Sequence, residues 1–129
     1  MKRKLPLLLL MVLSLTACAS PALEPVPYRQ VSMQDAIQMM KTKTDYVILD
    51  VRTPSEYAQG HIPGAILVPN ETIGTANIPQ LPRKDQLILV YCRSGNRSKQ
   101  ASEKLAQLGY TNVVEFGGIN QWPGEIVTD

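Results

Sequence analysis

Leu87-Ile88-Leu89-Val90-Tyr91-Cys92-Arg93-Ser94-Gly95-Asn96-Arg97-Ser98 is the stretch on which the fold turns. Leu87 to Tyr91 is apolar without alternation, the pattern of a strand buried on both faces in a parallel sheet covered by helices. Cys92 to Arg97 is too polar, and too interrupted by Gly95, to prolong that strand. Ser98 to Leu108 then puts Ala101, Leu105 and Leu108 on one helical face, and Gly109 ends it. Strand, short glycine-bearing loop and helix in succession are one unit of an α/β fold.

The flanking sequence repeats the alternation. Tyr46 to Leu49 is a short apolar run ending at Asp50, Ala65 to Val68 is another, and Val113 to Phe116 is a last strand broken by Gly117-Gly118. A turn containing Trp122 follows. Between these lie two more helix starts. Ser32 caps a helix with Asp35 in its first turn and Ala36, Ile37, Met39 and Met40 on its apolar side. Thr53-Pro54-Ser55-Glu56 sets a Thr cap, a Pro at the first helical position and a Glu at the third, and Gly60 keeps that helix short. Asn70 to Pro82 reads as a loop with one helical turn at most. The expectation is an α/β domain with a mainly parallel central sheet over residues 28–129.

The amino-terminal residues read as an address. Lys2, Arg3 and Lys4 form a positive start, and Leu5 to Leu15 is an almost wholly apolar run of eleven residues. A bilayer-spanning helix needs about 20 residues, so the run fits the core of a secretory signal instead. It ends in Leu15-Thr16-Ala17-Cys18, which resembles the lipobox of bacterial lipoproteins. That resemblance implies a signal peptide over residues 1–17, cleavage before Cys18 and diacylglyceryl transfer to its thiol. Two or three acyl chains anchor a protein stably, where one does not. Residues 18–27, with Pro21, Pro25 and Pro27, then form a short stiff tether. The expected product is an exported lipoprotein. No Asp follows Cys18, and by resemblance to lipoprotein sorting this implies the outer membrane facing the periplasm in a Gram-negative host, and otherwise the outer face of the cell membrane.

Charge excludes one class of function. The net charge of +2 rests on Lys2, Arg3 and Lys4, and without them ten basic residues face eleven acidic ones, which argues against nucleic-acid binding. His61 is the single histidine and the two cysteines lie far apart, so no metal site is expected.

Cys92 carries the candidate chemistry. It stands where a buried strand ends and a helix begins, the position at which open α/β sheets bind ligands. A short loop closed by a helix N-terminus aims several backbone N–H groups at one spot, an anion cradle. Gly95 lets the loop take positive φ, and Arg93 and Arg97 add positive charge. Such surroundings favour the thiolate, the nucleophilic form of cysteine. With Cys18 lipidated, Cys92 has no intramolecular disulfide partner.

Three motifs then appear together. Asp50-Val51-Arg52 with Glu56-Tyr57 and Gly60-His61-Ile62-Pro63-Gly64-Ala65 resembles the amino-terminal signature of rhodanese domains. Cys92-Arg93-Ser94-Gly95-Asn96-Arg97-Ser98 resembles their active-site loop, and Gly117-Gly118 with Trp122 their carboxyl-terminal signature. The resemblance runs from about Val31 to Trp122. It implies about five mostly parallel strands with helices on both faces, and sulfur transfer by a Cys92 persulfide. A small anionic donor such as thiosulfate would supply the sulfur, and cyanide or a thiol would accept it, in two covalent steps without metal or organic cofactor. Backbone N–H groups from Arg93 to Ser98 would hold the sulfur charge, and Arg93 and Arg97 would meet the anionic donor. Asp50, Arg52 and Glu56 would support the scaffold, with Glu56 as the expected partner of Arg52. His61, in a turn, is expected to pack and hydrogen-bond rather than act as a base, and Trp122 to serve the core.

Two alternatives share these residues. Phosphatases and arsenate reductases of the same fold resemble Cys-x5-Arg, whereas Cys92 and Arg97 are separated by four residues, a tighter ring. A sulfur-binding or regulatory module without turnover is the other. For the anchor, Cys18→Ser is expected to leave export intact and to move the protein out of the membrane fraction. Firm membrane association of that variant would argue against lipidation.

Overall fold

A computed structural model describes residues 2–4, 14 and 24–129. Most of the expected signal peptide, Cys18 and the tether as far as residue 23 therefore lie outside the described residues. Among the described residues, no helix is long and apolar enough to cross a membrane.

Five strands form one parallel sheet in the order β1-β5-β4-β2-β3. They are β1 (Arg29–Gln30), β2 (Tyr46–Asp50), β3 (Ile66–Leu67), β4 (Leu87–Cys92) and β5 (Val113–Gly118). Three helices connect and cover them: α1 (Met33–Thr42), α2 (Pro54–Gln59) and α3 (Asn96–Gln107). All six residues of β4 are buried, as its unbroken apolar run requires of a central strand. The two faces of the sheet carry separate cores. One gathers Leu49, Val90 and Cys92 with Ala101 and Leu105 of α3. The other gathers Ile48, Tyr91 and Phe116 with Met33 and Ala36 of α1, and Tyr57 of α2 packs against it.

The sequence expectations for β2, β4 and α1 match the observed elements closely. β1 was not expected: two exposed residues have no periodicity to show, and the strand exists through its pairing with β5. α3 begins at Asn96 rather than Ser98. Gly95 adopts φ +110° and stands at the cap position, so the loop ends sooner and Ser98 turns inward from the first helical turn. The segment from Asn70 to Pro82 contains one short 3₁₀ turn, Asn70–Thr72. It is also a lid on the α3 side of the core, with Ile73, Ile78 and Leu81 buried in it.

β4 and β5 are not in simple register. Val90 pairs with Glu115, yet Cys92 pairs with Gly118, so β5 carries one extra residue. Gly117 has φ +99°, the conformation of a glycine bulge. The bulge bends the end of β5 beside Cys92.

α2 has no fully buried residue, so packing alone does not hold it. Its capping box does: the Glu56 amide donates to Thr53 Oγ1 at 3.2 Å and the Thr53 amide to Glu56 Oε1 at 3.3 Å. Arg97 of α3 closes on the same carboxylate as a two-pronged fork, Nη1 to Oε1 at 2.6 Å and Nη2 to Oε2 at 3.0 Å. The Arg97 fork, against the cost of partial burial and aided by Thr53, lowers the Glu56 carboxyl from 4.5 to about 2. The folded value lies below the unfolded one, so this stabilisation is complete above about pH 4.5 and is lost as pH falls toward 2. Glu56→Gln is expected to lower stability at neutral pH by up to about 1 kcal/mol, the scale of a partly exposed pair. Thermal unfolding followed by circular dichroism should show the two proteins converging across that acid range; a constant gap would contradict the linkage.

Candidate active site

Cys92 is the last residue of β4 and is 1% exposed. The chain turns back over its sulfur, and the Gly95 amide donates to Sγ at 3.0 Å. Ser98 Oγ lies 3.4 Å from the same sulfur. Burial pushes the thiol up, but the Ser98 hydroxyl and the backbone N–H groups of Ser98, Gly95 and Ser94 outweigh it. The net result is a thiol below its ordinary value. Cys92, Ser94, Gly95 and Ser98 are thus brought to one point, with the Ser98 hydroxyl and the backbone amides together supplying the field.

Close approach of two backbones makes the turn possible. A Cβ on Gly118 would collide with the Arg93 carbonyl, so only glycine lets β5 pass under the loop. The Asn120 amide donates to that carbonyl at 3.3 Å and fixes the loop from the far side.

The loop's charged residues part company. Arg97 is half-buried and held by Glu56, while Arg93 is exposed. Arg93 lines a cleft of about 430 Å³ together with Arg52, Glu56, Gly60, Ile119 and Asn120. Ser94 and Asn96 of the loop are exposed.

Arg52 does not pair with Glu56, contrary to the sequence expectation. Its Nη2 donates to Asp50 Oδ2 at 2.7 Å and to the Gly60 carbonyl at 2.7 Å, and its Nε to Asp50 Oδ1 at 3.0 Å. Asp50 is fully buried and closer in the chain, and Glu56 is already taken by Arg97. The Tyr91 hydroxyl completes the network, donating to Asp50 Oδ2 at 2.7 Å and accepting from the Ile62 amide at 3.1 Å. Burial first, and then the bond to Asp50, raise the Tyr91 phenol beyond its ordinary range. This cluster lies on the α1 face of the sheet, opposite Cys92, and does not touch the sulfur.

His61 is 2% exposed, stacks on Tyr57 with centroids 3.7 Å apart, and joins its Nδ1 to the Tyr57 carbonyl at 2.9 Å. It packs, away from the loop. Trp122 is partly buried against the α1-side core, and its indole N–H donates to the Glu125 carbonyl at 3.0 Å. Among the described residues, no group of His, Cys, Asp and Glu side chains is arranged to hold a metal ion.

Glu115 escaped the sequence reading. It is 3% exposed, and its Oε1 accepts from Ser98 Oγ at 2.6 Å and from the Gly117 amide at 2.9 Å. The available signal was an acid inside the apolar run Val113–Phe116, two residues before the paired glycines.

Comparison with known proteins gives the family and agrees with the fold. The model of the Rhodanese-like domain family matches residues 32–125. A protein named Sulfurtransferase from Allochromatium vinosum is 38% identical over 94 residues, spanning 72% of this chain and 86% of that one. Thiosulfate sulfurtransferase PspE from Escherichia coli is 39% identical over 71 residues, 55% of this chain and 68% of its own. Among solved structures, a rhodanese with anions from E. coli superposes with a TM-score of 0.60 at 34% identity, covering 65% of this chain and 99% of that one. A rhodanese-related protein from Thermoplasma volcanium gives a TM-score of 0.66 at 32% identity, covering 79% and 100%. With a family model spanning most of its length and relatives alike in sequence and fold, the chain belongs to the rhodanese-like domain family.

Proposed function

We propose that the protein is a sulfurtransferase that takes sulfane sulfur from thiosulfate or a similar small anion and carries it on Cys92 as a persulfide. The observation that carries this reading is the Gly95 N–H on Cys92 Sγ at 3.0 Å, inside a turn whose amides favour a negative sulfur. In the first step the thiolate attacks the outer sulfur of the donor. A bond forms from Sγ to that sulfur, and the donor's S–S bond breaks with its electron pair leaving on sulfite. The charge of the complex then rests on the terminal sulfur, where the loop amides remain its neighbours. In the second step cyanide or a thiolate attacks the terminal sulfur, and Cys92 leaves as a thiolate again.

Donor attraction falls mainly to Arg93. Arg97 spends its fork on Glu56, whereas Arg93 is exposed at the cleft beside the loop. The same proposal puts the domain on a lipid anchor at the cell envelope, on the support of Lys2 to Lys4, the apolar run and Leu15-Thr16-Ala17-Cys18.

Intact-mass spectrometry of the reduced, detergent-solubilised protein, before and after thiosulfate, tests the reading. The expected result is a gain of one sulfur atom that cyanide removes and that Cys92→Ser does not show. A folded, reduced protein that gains nothing would shift the reading to a binding module or a different donor.

A further inference from the structure

Ser98 has one hydroxyl proton and more claims on it than it can meet. Its Oγ lies 2.6 Å from Glu115 Oε1, 2.9 Å from the Gly95 carbonyl, and 3.4 Å from both Cys92 Sγ and the Gly117 carbonyl. The shortest contact is to Glu115. That carboxyl is 3% exposed and takes part in none of the ion pairs among the described residues. While Ser98 donates to Glu115, its oxygen offers Cys92 only a lone pair, and the partner that fits is the S–H of the thiol. For Ser98 to donate to a thiolate instead, the proton on its far side must be supplied by Glu115.

We propose that Cys92, Ser98 and Glu115 form a proton relay in which Glu115 takes up, through Ser98, the proton that Cys92 must lose. The S–H bond breaks, sulfur keeps the electron pair and its proton passes to Ser98 Oγ. The original Ser98 proton passes to Glu115 Oε1. The protonated carboxyl then donates to Ser98, and Ser98 donates to the thiolate. No charge leaves the buried triad, so no counter-ion is needed within it. Glu115 touches neither donor nor sulfur and is a positioning residue. Its bond from the Gly117 amide holds it in the bulge of β5, aimed at Ser98.

The charged groups around this pair are matched or turned to solvent, although the Arg97 charge also reaches Cys92. Arg97, on α3, is matched by Glu56 of α2, and Asp50 and Arg52 match each other on the opposite face of the sheet. From β1 the residue paired with Glu115 is the uncharged Gln30. Arg93 and Lys99 are exposed to solvent.

Two groups sharing one proton titrate as a pair. The thiolate fraction of the wild-type protein is therefore expected to level off at acid pH, for as long as the pair retains a single proton. In Glu115→Gln and in Ser98→Ala, thiolate is expected to fall about tenfold per pH unit below the thiol pKa, with no plateau, as for an isolated group. The measurement is the rate of iodoacetamide alkylation of the full-length protein against pH, read by mass spectrometry on the Cys92 peptide. Thiolate ultraviolet absorbance, relative to Cys92→Ser, gives the same profile without requiring reagent access. Circular dichroism establishes that the variants are folded. Were Glu115 only a brace for the bulge, Glu115→Gln would keep the wild-type profile. Were it only a nearby negative charge, Glu115→Gln would gain thiolate at acid pH. Either result overturns the relay. The inference rests on Cys92 as the nucleophile, yet the two fail separately. A plateau without sulfur loading removes the transferase reading alone, and sulfur loading with a single titration removes the relay alone.

Discussion

The contact between the Arg93 carbonyl and the backbone of Gly118 is the constraint around which the rest is arranged. Two chain segments can approach that closely only where one has no side chain. Because Gly118 passes beneath the loop, the loop can fold tightly enough to bring the Gly95 amide onto Cys92. The same passage requires the end of β5 to leave the register of β4, and the bulge at Gly117 absorbs the mismatch. A bulge frees an amide, and the Gly117 amide finds its acceptor in Glu115. One steric fact at the sheet's carboxyl edge thus accounts for the loop, the bulge and the buried acid beside them.

Electrostatics then follows from how the arginines are matched. A buried or half-buried guanidinium needs a carboxylate, and each of the two finds its own: Arg52 takes Asp50, and Arg97 takes Glu56. These pairs cancel charge near the site rather than concentrate it. What remains to favour a negative sulfur is the set of backbone amides, fixed dipoles that need not reorganise when the sulfur charges, together with the Ser98 hydroxyl. The first arginine of the loop, Arg93, stays free because it points out of the turn, toward the cleft.

Most of the fold was legible in the sequence because its elements advertise themselves locally. Leu87 to Tyr91 could only be a central strand, and Thr53-Pro54-Ser55-Glu56 states its capping box in four residues. The three signatures that resemble rhodanese domains single out the Cys92 loop, where Gly95 and Ser98 close on the sulfur. What escaped was non-local. β1 is two residues with no pattern of their own, visible only through β5. The partner of Arg52 depended on competition: Asp50 and Glu56 are both within reach in sequence, and the choice turned on Arg97, 41 residues beyond Glu56. Ser98 reads as the first residue of its helix until Gly95 is seen to cap that helix, which puts the serine inside the first turn, facing inward.

The two faces of the sheet divide the remaining work. On the α1 face, Asp50, Arg52 and Tyr91 form a buried network closed on itself, joining β2 and β4 to the Gly60–Ile62 turn. A fully satisfied network of that kind rigidifies what it touches. On the α3 face, Ser98 is contested among four neighbours and its proton has no single resting place. Rigidity on one side is what makes ambiguity on the other useful. Tyr91 and Cys92 are adjacent residues of one strand, so the network that pins the tyrosine also fixes the position from which the sulfur emerges. A proton can shift along Cys92, Ser98 and Glu115 only while the heavy atoms stay within hydrogen-bonding reach, and the opposite face of the same strand holds them there.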